Sequence, residues 1–321
     1  SQRHPDEMAA ELPEVDHFLG SSDMLRIAAV LRDEAERMLV GQPADWLVAA
    51  ENPRALSSHP GSAYVKIAEG CNRKCSFCVI PSLRGKQRSR AIADVVNEVQ
   101  ALVARGVREV NLISQDTVAY GRDLPGKPSL AALAEAVADV PGIAWVRLFY
   151  LYPEVLDDAL IALLAGHPRV LPYVDMPLQH AADAMLRRMR RGHGGPRLRK
   201  LVERLRRDVP DLTFRSAFIV GHPGESQAEF DELCAFVEWA ELDRVGVFRY
   251  SDEETCHSNS LSDKVPPLVA ANRWRRLMAI ARRIAQKQNA ALVGRELEVL
   301  VEGISDEHEA VLSGRHRGQA P

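Results

Sequence analysis

Six short apolar segments recur between residues 64 and 249, and stretches with a helical spacing of apolar residues lie between them. The segments that we predict to be strands are Tyr64–Ala68, Glu109–Ser114, Trp145–Tyr150, Leu171–Met176, Thr213–Val220 and Arg244–Arg249. Alternation of this kind predicts α/β architecture, with parallel strands joined by crossover helices. Because six units are too few for a closed eight-fold barrel, we expect an open (βα)6 partial barrel with its active site at the carboxyl ends of the strands.

The helical stretches carry recognisable start and stop signals. One apolar face stops at Gly106, and Ser226 followed by Glu229 predicts a capping box that opens a later helix. A long pattern from Pro267 to Asn289 predicts a helix that packs on the barrel and keeps most of its arginines, Arg273 included, on other faces. The first of these apolar faces consists of Ile92, Val95, Val96, Val99, Leu102 and Val103.

The two ends of the chain show weaker patterns. Residues 1 to about 50 are predicted to be largely helical, with Asp23 as a candidate N-cap. Residues 51–61 are rich in Pro, Ser and Gly, which is typical of a linker. Residues 295–303 alternate like a strand. The helical face near the start consists of Met24, Ile27, Ala28, Leu31, Ala35 and Met38.

Composition excludes several classes of protein. The 321 residues are 46% hydrophobic and 26% charged, as in ordinary globular proteins. No run approaches the roughly 18 apolar residues of a membrane span, and no signal-peptide pattern is present, so we expect no membrane partner. The net charge of −3 gives no global argument for nucleic acid. Clustered thiols in a chain of this size favour the reducing cytoplasm over a disulfide framework.

Three of the five cysteines form a C-x3-C-x2-C triplet, Cys71, Cys75 and Cys78, directly after the first predicted strand. Thiolates this close in sequence can converge on one soft metal centre and leave a tetrahedral position open for chemistry. A structural zinc site is the alternative, but it needs a fourth ligand, and zinc knuckles usually come as two paired units. Cys234 is predicted to be a small core residue, whereas Cys256 lies in a polar loop and is a weak candidate ligand.

The triplet, with an aromatic residue just before its last cysteine, resembles the signature of the radical S-adenosylmethionine (radical SAM) enzymes. The wider context is similar to the methylthiotransferases of that superfamily, and the similarity runs through nearly the whole chain. Two segments, Ile113–Gly121 and Asp175–Ala181, resemble the branch that modifies ribosomal protein S twelve more than the branch that modifies tRNA. The segments that carry the similarity are Ile67–Asn72, Val79–Gly85, Ser89–Arg90, Ile113–Gly121 and Asp175–Ala181.

The resemblance implies a division into domains. Residues 1–50 would be the remnant of an α/β N-terminal methylthiotransferase domain, 51–61 a linker, 62–290 the radical SAM core, and 291–321 the start of a β-barrel TRAM domain. The chain thus resembles a longer enzyme truncated at both ends. In the family, three further N-terminal cysteines hold a second cluster, and this chain does not contain them.

The resemblance also implies the cofactors and their contacts. In the family the three thiolates, here Cys71, Cys75 and Cys78, hold a 4Fe-4S cluster, and the amino and carboxylate groups of SAM chelate its fourth iron. Asp116 is equally explained as a helix cap and His180 as a structural histidine. His222 stands where the family usually has Phe. The implied contacts to SAM, all at strand ends, are Gln115, Asp116, Thr117, Gln179, His180, Gly221 and Glu225.

The function implied is insertion of a methylthio group at the β-carbon of an aspartate in ribosomal protein S twelve. The implied partners are that protein or the small ribosomal subunit, and an electron donor of the flavodoxin or ferredoxin type. Residues 187–207 carry ten arginines and lysines against one acid, which indicates either a solvated helix face or contact with RNA. A tRNA adenosine methylthiotransferase and a non-catalytic iron–sulfur or zinc protein are the alternatives.

Overall fold

The structure is a computed structural model that describes residues 2–32, 34–43, 46–56, 61–153, 156–192 and 194–321. Residues 57–60 of the predicted linker lie outside the described residues. The strands are β1 Phe18–Leu19, β2 Met38–Leu39, β3 Ser62–Lys66, β4 Ala68–Glu69, β5 Arg88–Ser89, β6 Glu109–Ile113, β7 Trp145–Leu148, β8 Val170–Asp175, β9 Thr213–Val220, β10 Arg244–Arg249, β11 Val299–Ser305 and β12 His308–His316. The helices are α1 Pro5–Glu11, α2 Ile27–Leu31, α3 Ile80–Arg84, α4 Ile92–Ala104, α5 Leu130–Ala138, α6 Asp158–Gly166, α7 Asp183–Arg188, α8 Gly195–Asp208, α9 Gln227–Ala240 and α10 Pro267–Ala290.

Six of the strands form one parallel sheet in the order β10-β9-β8-β7-β6-β3. All six predicted strands are therefore confirmed, with ends that differ by at most two residues from the predicted ones. The two edge strands, β3 and β10, do not pair with each other in the part of the chain that the structure describes. The sheet is thus an open partial barrel, and the carboxyl ends of its six strands meet along one edge.

Helices cover the outer face of the sheet and bury their apolar stripes against it. Val95, Val99 and Leu102 of α4 and Leu133 and Val137 of α5 are almost completely buried in one continuous core. Burial of each such side chain contributes about 1.5–3 kcal/mol relative to exposure, which fixes the helices against the sheet. Among the described residues, no helix is both long and apolar enough to cross a membrane.

The predicted helix signals are confirmed. α4 ends just before Gly106, which adopts the left-handed conformation (φ 96°) that favours glycine. At the start of α9, the Ser226 hydroxyl accepts from the Glu229 amide, and the Glu229 carboxylate accepts from the Ser226 amide at 2.7 Å. α10 spans Pro267–Ala290, within one residue of the predicted helix.

The helical prediction for the N-terminal region is wrong beyond Leu31. A 3₁₀ turn and the five-residue α2 replace the predicted long helix, and Met38 belongs to β2, which pairs in parallel with β1. Met24 and Leu31 are 56% and 80% exposed, so the described residues leave this apolar face largely uncovered, and tertiary packing supplies most helical stability. Asp23 precedes the turn but does not cap it; its carboxylate accepts from the Gly41 amide at 2.8 Å.

At the other end of the chain, β11 and β12 form an antiparallel hairpin. The strand predicted for residues 295–303 is confirmed in part, because it begins at Val299. Leu300 and Ala320 pack against the aromatic cluster around Trp145 and Tyr173. The hairpin and the residues after it therefore close the amino-terminal mouth of the barrel.

A buried ionic network fixes the hairpin in that position. Glu109, at the start of β6, accepts from both Nε and Nη2 of Arg147, at 3.0 and 2.9 Å, and from Nη2 of Arg315 at 2.6 Å. Arg147 also donates to the carbonyl oxygens of Arg317 and Gln319. Neither Glu109 nor Arg147 is exposed, so each charge depends on its partners for compensation.

We predict that Glu109→Gln lowers the free energy of unfolding by about 3–5 kcal/mol, because it leaves buried guanidinium groups without their carboxylate. Urea unfolding followed by circular dichroism measures the loss. The matched control is Asp231→Asn, which removes an exposed partner of Arg276 and should cost far less, because solvent screens exposed ion pairs. Equal losses in the two variants would contradict this account of the barrel mouth.

Candidate functional site

The three clustered cysteines lie on the loop that leaves the carboxyl end of β3. Gly70 adopts φ 85°, and a Cβ there would come within 2.3 Å of the Lys86 carbonyl oxygen, so only glycine allows this close approach. The Cys71 amide donates to the Gly85 carbonyl at 3.1 Å, and the antiparallel pairing of β4 with β5 closes the loop. The loop thus folds back on itself, and as a result the three thiols face the barrel.

Burial favours the protonated form of two of these thiols when no metal is bound. Burial raises the pKa of Cys71 to about 11 and also raises the pKa of Cys78. No group of three or more His, Cys, Asp or Glu side chains in the described ranges is gathered closely enough to hold one metal ion.

A cavity of about 350 Å³ opens above the cysteines, at the carboxyl ends of the strands. Two of the predicted cofactor contacts, Gln115 and Gln179, line it together with the three thiols. Gln179 has a left-handed backbone (φ 72°), held by hydrogen bonds to Ala217 and Ile219 of β9. Strain at a non-glycine residue is often found at functional sites. The other side chains around the cavity include Arg73, Phe77, Ile80, Tyr150, Tyr152, Pro177, Arg191 and Phe248.

Two arginines in the cavity wall were not predicted from the sequence. The guanidinium carbons of Arg73 and Arg191 lie 3.7 and 4.0 Å from the centre of the Tyr152 ring. Nη1 of Arg191 donates to Cys75 Sγ at 3.4 Å, and its Nη2 donates to the Pro177 carbonyl at 2.8 Å. Cation–π stacking places positive charge beside the thiols. Tyr152 follows β7, the third strand of the sheet in chain order. This strand-end position is the one signal in the sequence from which the two arginines beside Tyr152 could have been found.

The residues around the cavity fit a polar ligand bound beside the clustered thiols. Arg191 is only 7% exposed, and its Nε has no hydrogen-bond partner in the described structure. Oε1 of Gln115 is likewise buried without a partner among the described residues. Buried polar groups are normally satisfied, so a donor and an acceptor left over in one cavity indicate a ligand that supplies both. The amino and carboxylate groups of SAM have this chemistry.

Asp116 and Thr117 lie behind the cavity rather than along it. Asp116 is buried, and its Oδ2 accepts from Nε of Arg73 at 2.6 Å. It makes no capping hydrogen bond to the 3₁₀ turn that follows, so the capping alternative is not what the structure shows. The Thr117 hydroxyl lies 3.1 Å from the Ser114 hydroxyl. Asp116 is thus joined to the cavity wall through Arg73, and the Thr117 amide donates to the Tyr150 carbonyl at 3.2 Å.

His180, Gly221 and Glu225 also lie outside the cavity wall and form a second buried network. Glu225 Oε1 is 3.2 Å from His180 Nε2, and its Oε2 accepts from the Gly221 amide at 2.7 Å and from Arg273 Nη1 at 2.6 Å. The Ala182 amide donates to His180 Nδ1, so Nε2 carries the ring proton. The structure thus places these three residues in a scaffold between β8, β9 and α10. Arg273, predicted on a polar face, is buried there.

Four of the ten basic side chains in the segment 187–207 form ion pairs within the protein. Arg191 belongs to the cavity, and Arg199 lies over the Trp239 ring at 4.7 Å. Fewer positive side chains are therefore available to contact a partner than the sequence indicated. The ion pairs formed by the segment are Arg188–Glu229, Arg204–Asp158, Arg204–Asp208, Arg206–Asp243 and Arg207–Asp208.

The two remaining cysteines differ in position. Cys234 is 3% exposed on the inner face of α9, which confirms that it is a core residue. Cys256 is also buried, and burial followed by the charge of Cys78 raises its pKa. It therefore lies on the side of the cysteine loop, although it does not line the cavity.

Comparison with known proteins identifies the class to which this fold and site belong. Residues 65–237, more than half of the chain, match the Radical SAM superfamily, so the chain belongs to that superfamily. It is 71% identical to the ribosomal protein uS12 methylthiotransferase RimO of Sorangium cellulosum, over the whole of this chain and 67% of the relative. The protein of the same name from Anaeromyxobacter sp. (strain K) is 48% identical and is covered to 68%. The chain therefore belongs to the RimO family of methylthiotransferases.

Solved structures agree on the fold. The radical SAM methyltransferase TsrM from Kitasatospora setae matches 63% of this chain and 39% of its own length, with a TM-score of 0.51 and 18% identity. Coproporphyrinogen III oxidase (HemN) from Escherichia coli matches 75% of this chain and 54% of its own, with a TM-score of 0.50 and 16% identity. At such identities the likeness shows the radical SAM barrel alone, and it confirms the predicted architecture.

His222 allows a test of this site by pH. Burial lowers its pKa from the ordinary 6.5 to about 4, so the unfolded chain binds the proton first as the pH falls. The stability linked to this residue is complete above pH 6.5 and is lost as the pH falls towards 4. Between pH 7 and pH 5 we expect the wild type to lose about 2 kcal/mol more unfolding free energy than His222→Phe does.

Urea unfolding of both proteins at the two pH values measures this difference. Ser260→Ala, a change at an exposed position in a nearby loop, should keep the pH dependence of the wild type. The same pH dependence in the wild type and in His222→Phe would show that this imidazole is not held neutral by burial.

Proposed function

We propose that this chain is the core of a radical SAM methylthiotransferase that inserts a methylthio group at the β-carbon of an aspartate in ribosomal protein uS12, the S twelve protein of the small subunit. The observation that carries the proposal is the 71% identity to a relative of that name over the entire chain. A relative from Myxococcus xanthus with the same name is 47% identical over the whole chain. The site supports the same conclusion, because it combines clustered thiols with a polar cavity.

Cys71, Cys75 and Cys78 would hold a 4Fe-4S cluster, and SAM would take the adjoining part of the cavity. When bound, these groups supply one-electron radical chemistry, whereas the protein binds, orients and excludes water. Gln115 and Gln179 offer amide groups to the polar end of SAM.

Arg191 is the residue that we assign to the carboxylate of SAM. Its guanidinium is oriented by the Tyr152 ring and by the Pro177 carbonyl, and its unpartnered Nε lies in the cavity wall. A planar guanidinium in a fixed orientation matches a carboxylate by charge and by paired hydrogen bonds. Ile219 and Phe248 supply apolar surface on the β9 and β10 side of the cavity, which suits the adenosyl part.

The partners follow from the same proposal. uS12 would reach the cavity on the open side, where Tyr150 and Phe248 are 50% and 61% exposed. Contact with ribosomal RNA would use fewer side chains than the sequence indicated. These are the exposed cations Arg187, Arg190 and Lys200. A flavodoxin or ferredoxin would supply the electron in a reducing cytoplasm. The domain boundaries at residues 50, 61 and 290 stay a prediction.

Transfer of a label tests the substrate without requiring the complete reaction. The anaerobically reconstituted chain is incubated with dithionite, SAM and a uS12 target-loop peptide deuterated at the aspartate β-carbon. Deuterium in the released deoxyadenosine is expected. Labelled deoxyadenosine from tRNA but not from the peptide would favour the tRNA enzyme, and absence of any deoxyadenosine would favour a non-catalytic protein.

We predict that Cys71→Ala, Cys75→Ala or Cys78→Ala abolishes cluster absorption and release of deoxyadenosine, because two thiolates do not retain a cluster whose fourth iron is kept free for SAM. Iron analysis and visible absorption after reconstitution measure the effect. Cys234→Ala is the matched control and should bind as much iron as the wild type, since its thiol is buried on α9. Wild-type iron content in any triplet variant would refute the ligand assignment.

We further predict one cluster, about four irons, per chain, because only three of the five cysteines surround the cavity. In the family, methylthio transfer uses a second cluster, so this chain should release deoxyadenosine from SAM but form no methylthio product on uS12. Mass spectrometry of the target peptide and electron paramagnetic resonance of the reduced protein check both halves. About eight irons per chain, or methylthiolated peptide, would contradict this division.

A further inference from the structure

Ser76, between the second and third cysteines, is held by all of its polar groups. Its amide donates to the Met189 carbonyl at 3.1 Å, and its carbonyl accepts from the Ser258 amide at 2.8 Å. Its hydroxyl donates to the Arg188 carbonyl at 2.8 Å and accepts from the Ser258 hydroxyl at 2.8 Å. Ser76 is 2% exposed, so none of these bonds competes with water.

The chain of contacts continues from Ser258 to the loop after β9. His222 Nε2 forms a hydrogen bond of 2.7 Å with the Ser258 hydroxyl, and Nδ1 lies 3.0 Å from the Pro223 carbonyl oxygen. His222 and Ser258 are completely buried. The His222 ring also packs edge-on against Tyr250, with ring centres 5.1 Å apart. Three loops, those after β3, β9 and β10, are thus joined through one line of hydrogen bonds.

We propose that His222, Ser258 and Ser76 are positioning residues for the thiols of the cysteine loop. Cys75 and Cys78 flank Ser76, and both are only half buried, so their own packing does not fix them. The hydrogen bonds that hold Ser76 to the end of α7 and to Ser258 set the separation of these two thiols instead. The proposal deepens the proposed function and rests on it, since it concerns the loop that would hold the cluster.

His222 contributes both a ring and a hydrogen bond to this arrangement. A phenylalanine at this position would fill the same space without a hydrogen bond to Ser258. We assign the contribution of His222 to the cysteine loop to the hydrogen bond rather than to the ring. A variant that keeps an aromatic ring but removes the hydrogen bond separates these two effects.

The test compares Ser258→Ala, His222→Phe and His222→Gln with Ser260→Ala, an exposed change in the same loop. Amide hydrogen exchange of the segment 75–78 is followed in the iron-free chain, and the rate of iron loss to a chelator is followed in the reconstituted chain. Loss of one buried hydrogen bond should speed local opening, and hence exchange, about fivefold. We expect this in Ser258→Ala and His222→Phe, with iron loss accelerated to a similar extent.

His222→Gln retains a side chain of comparable reach that can both donate and accept a hydrogen bond, and it should restore exchange at least in part, a rescue that a space-filling role does not predict. Exchange of residues 75–78 equal to that of Ser260→Ala in all variants would overturn the proposal. Faster exchange with unchanged iron retention would overturn the positioning role and leave the proposed function intact. If the wild type itself held no iron, the proposed function would fail, whereas the exchange comparison would still decide whether the loop is fastened as described.

Discussion

The architecture depends on the compensation of carboxylates buried inside an incomplete barrel. At the amino-terminal mouth, Glu109 needs Arg147 and Arg315; at the other end, Glu225 needs Arg273. Removal of one partner from a buried ion pair is strongly destabilising, so each carboxylate ties an outlying element to the sheet. The first fastens the C-terminal hairpin and the second fastens α10. The hairpin and α10 are thereby held against the open sheet at its two ends. The site lies between them.

Much of the core could be predicted because its signals are local. The period of apolar residues follows from the alternate sides of strands and the repeat of helices, so the six strands required no knowledge of tertiary contacts. Gly106 and Ser226 mark helix ends through backbone conformation and side-chain capping, which are also properties of a few neighbouring residues. The cysteine triplet is recognisable for the same reason, because its chemistry depends on spacing along the chain.

The remainder of the site could not be predicted because it depends on convergence. Arg73 and Arg191 are far apart in sequence and meet only because Tyr152 lies between the loops that carry them. His180 stands at a strand end, as a functional residue would, yet packing turns it towards Glu225. In the N-terminal region the apolar periodicity around Leu31 was genuine, but no neighbouring surface in the described structure covers it, and periodicity alone does not sustain a helix.

The two edge strands of the open sheet are covered in part by side chains instead of by further strands. Nε1 of Trp274, on α10, donates to the Val247 carbonyl of β10 at 2.8 Å, and Arg54 donates to the Tyr64 carbonyl of β3. A row of unpaired backbone groups is a template for pairing with another chain, and closed barrels avoid it because they have no edges. Since side-chain donors occupy part of each edge here, the barrel can remain incomplete without offering either edge in full for aggregation.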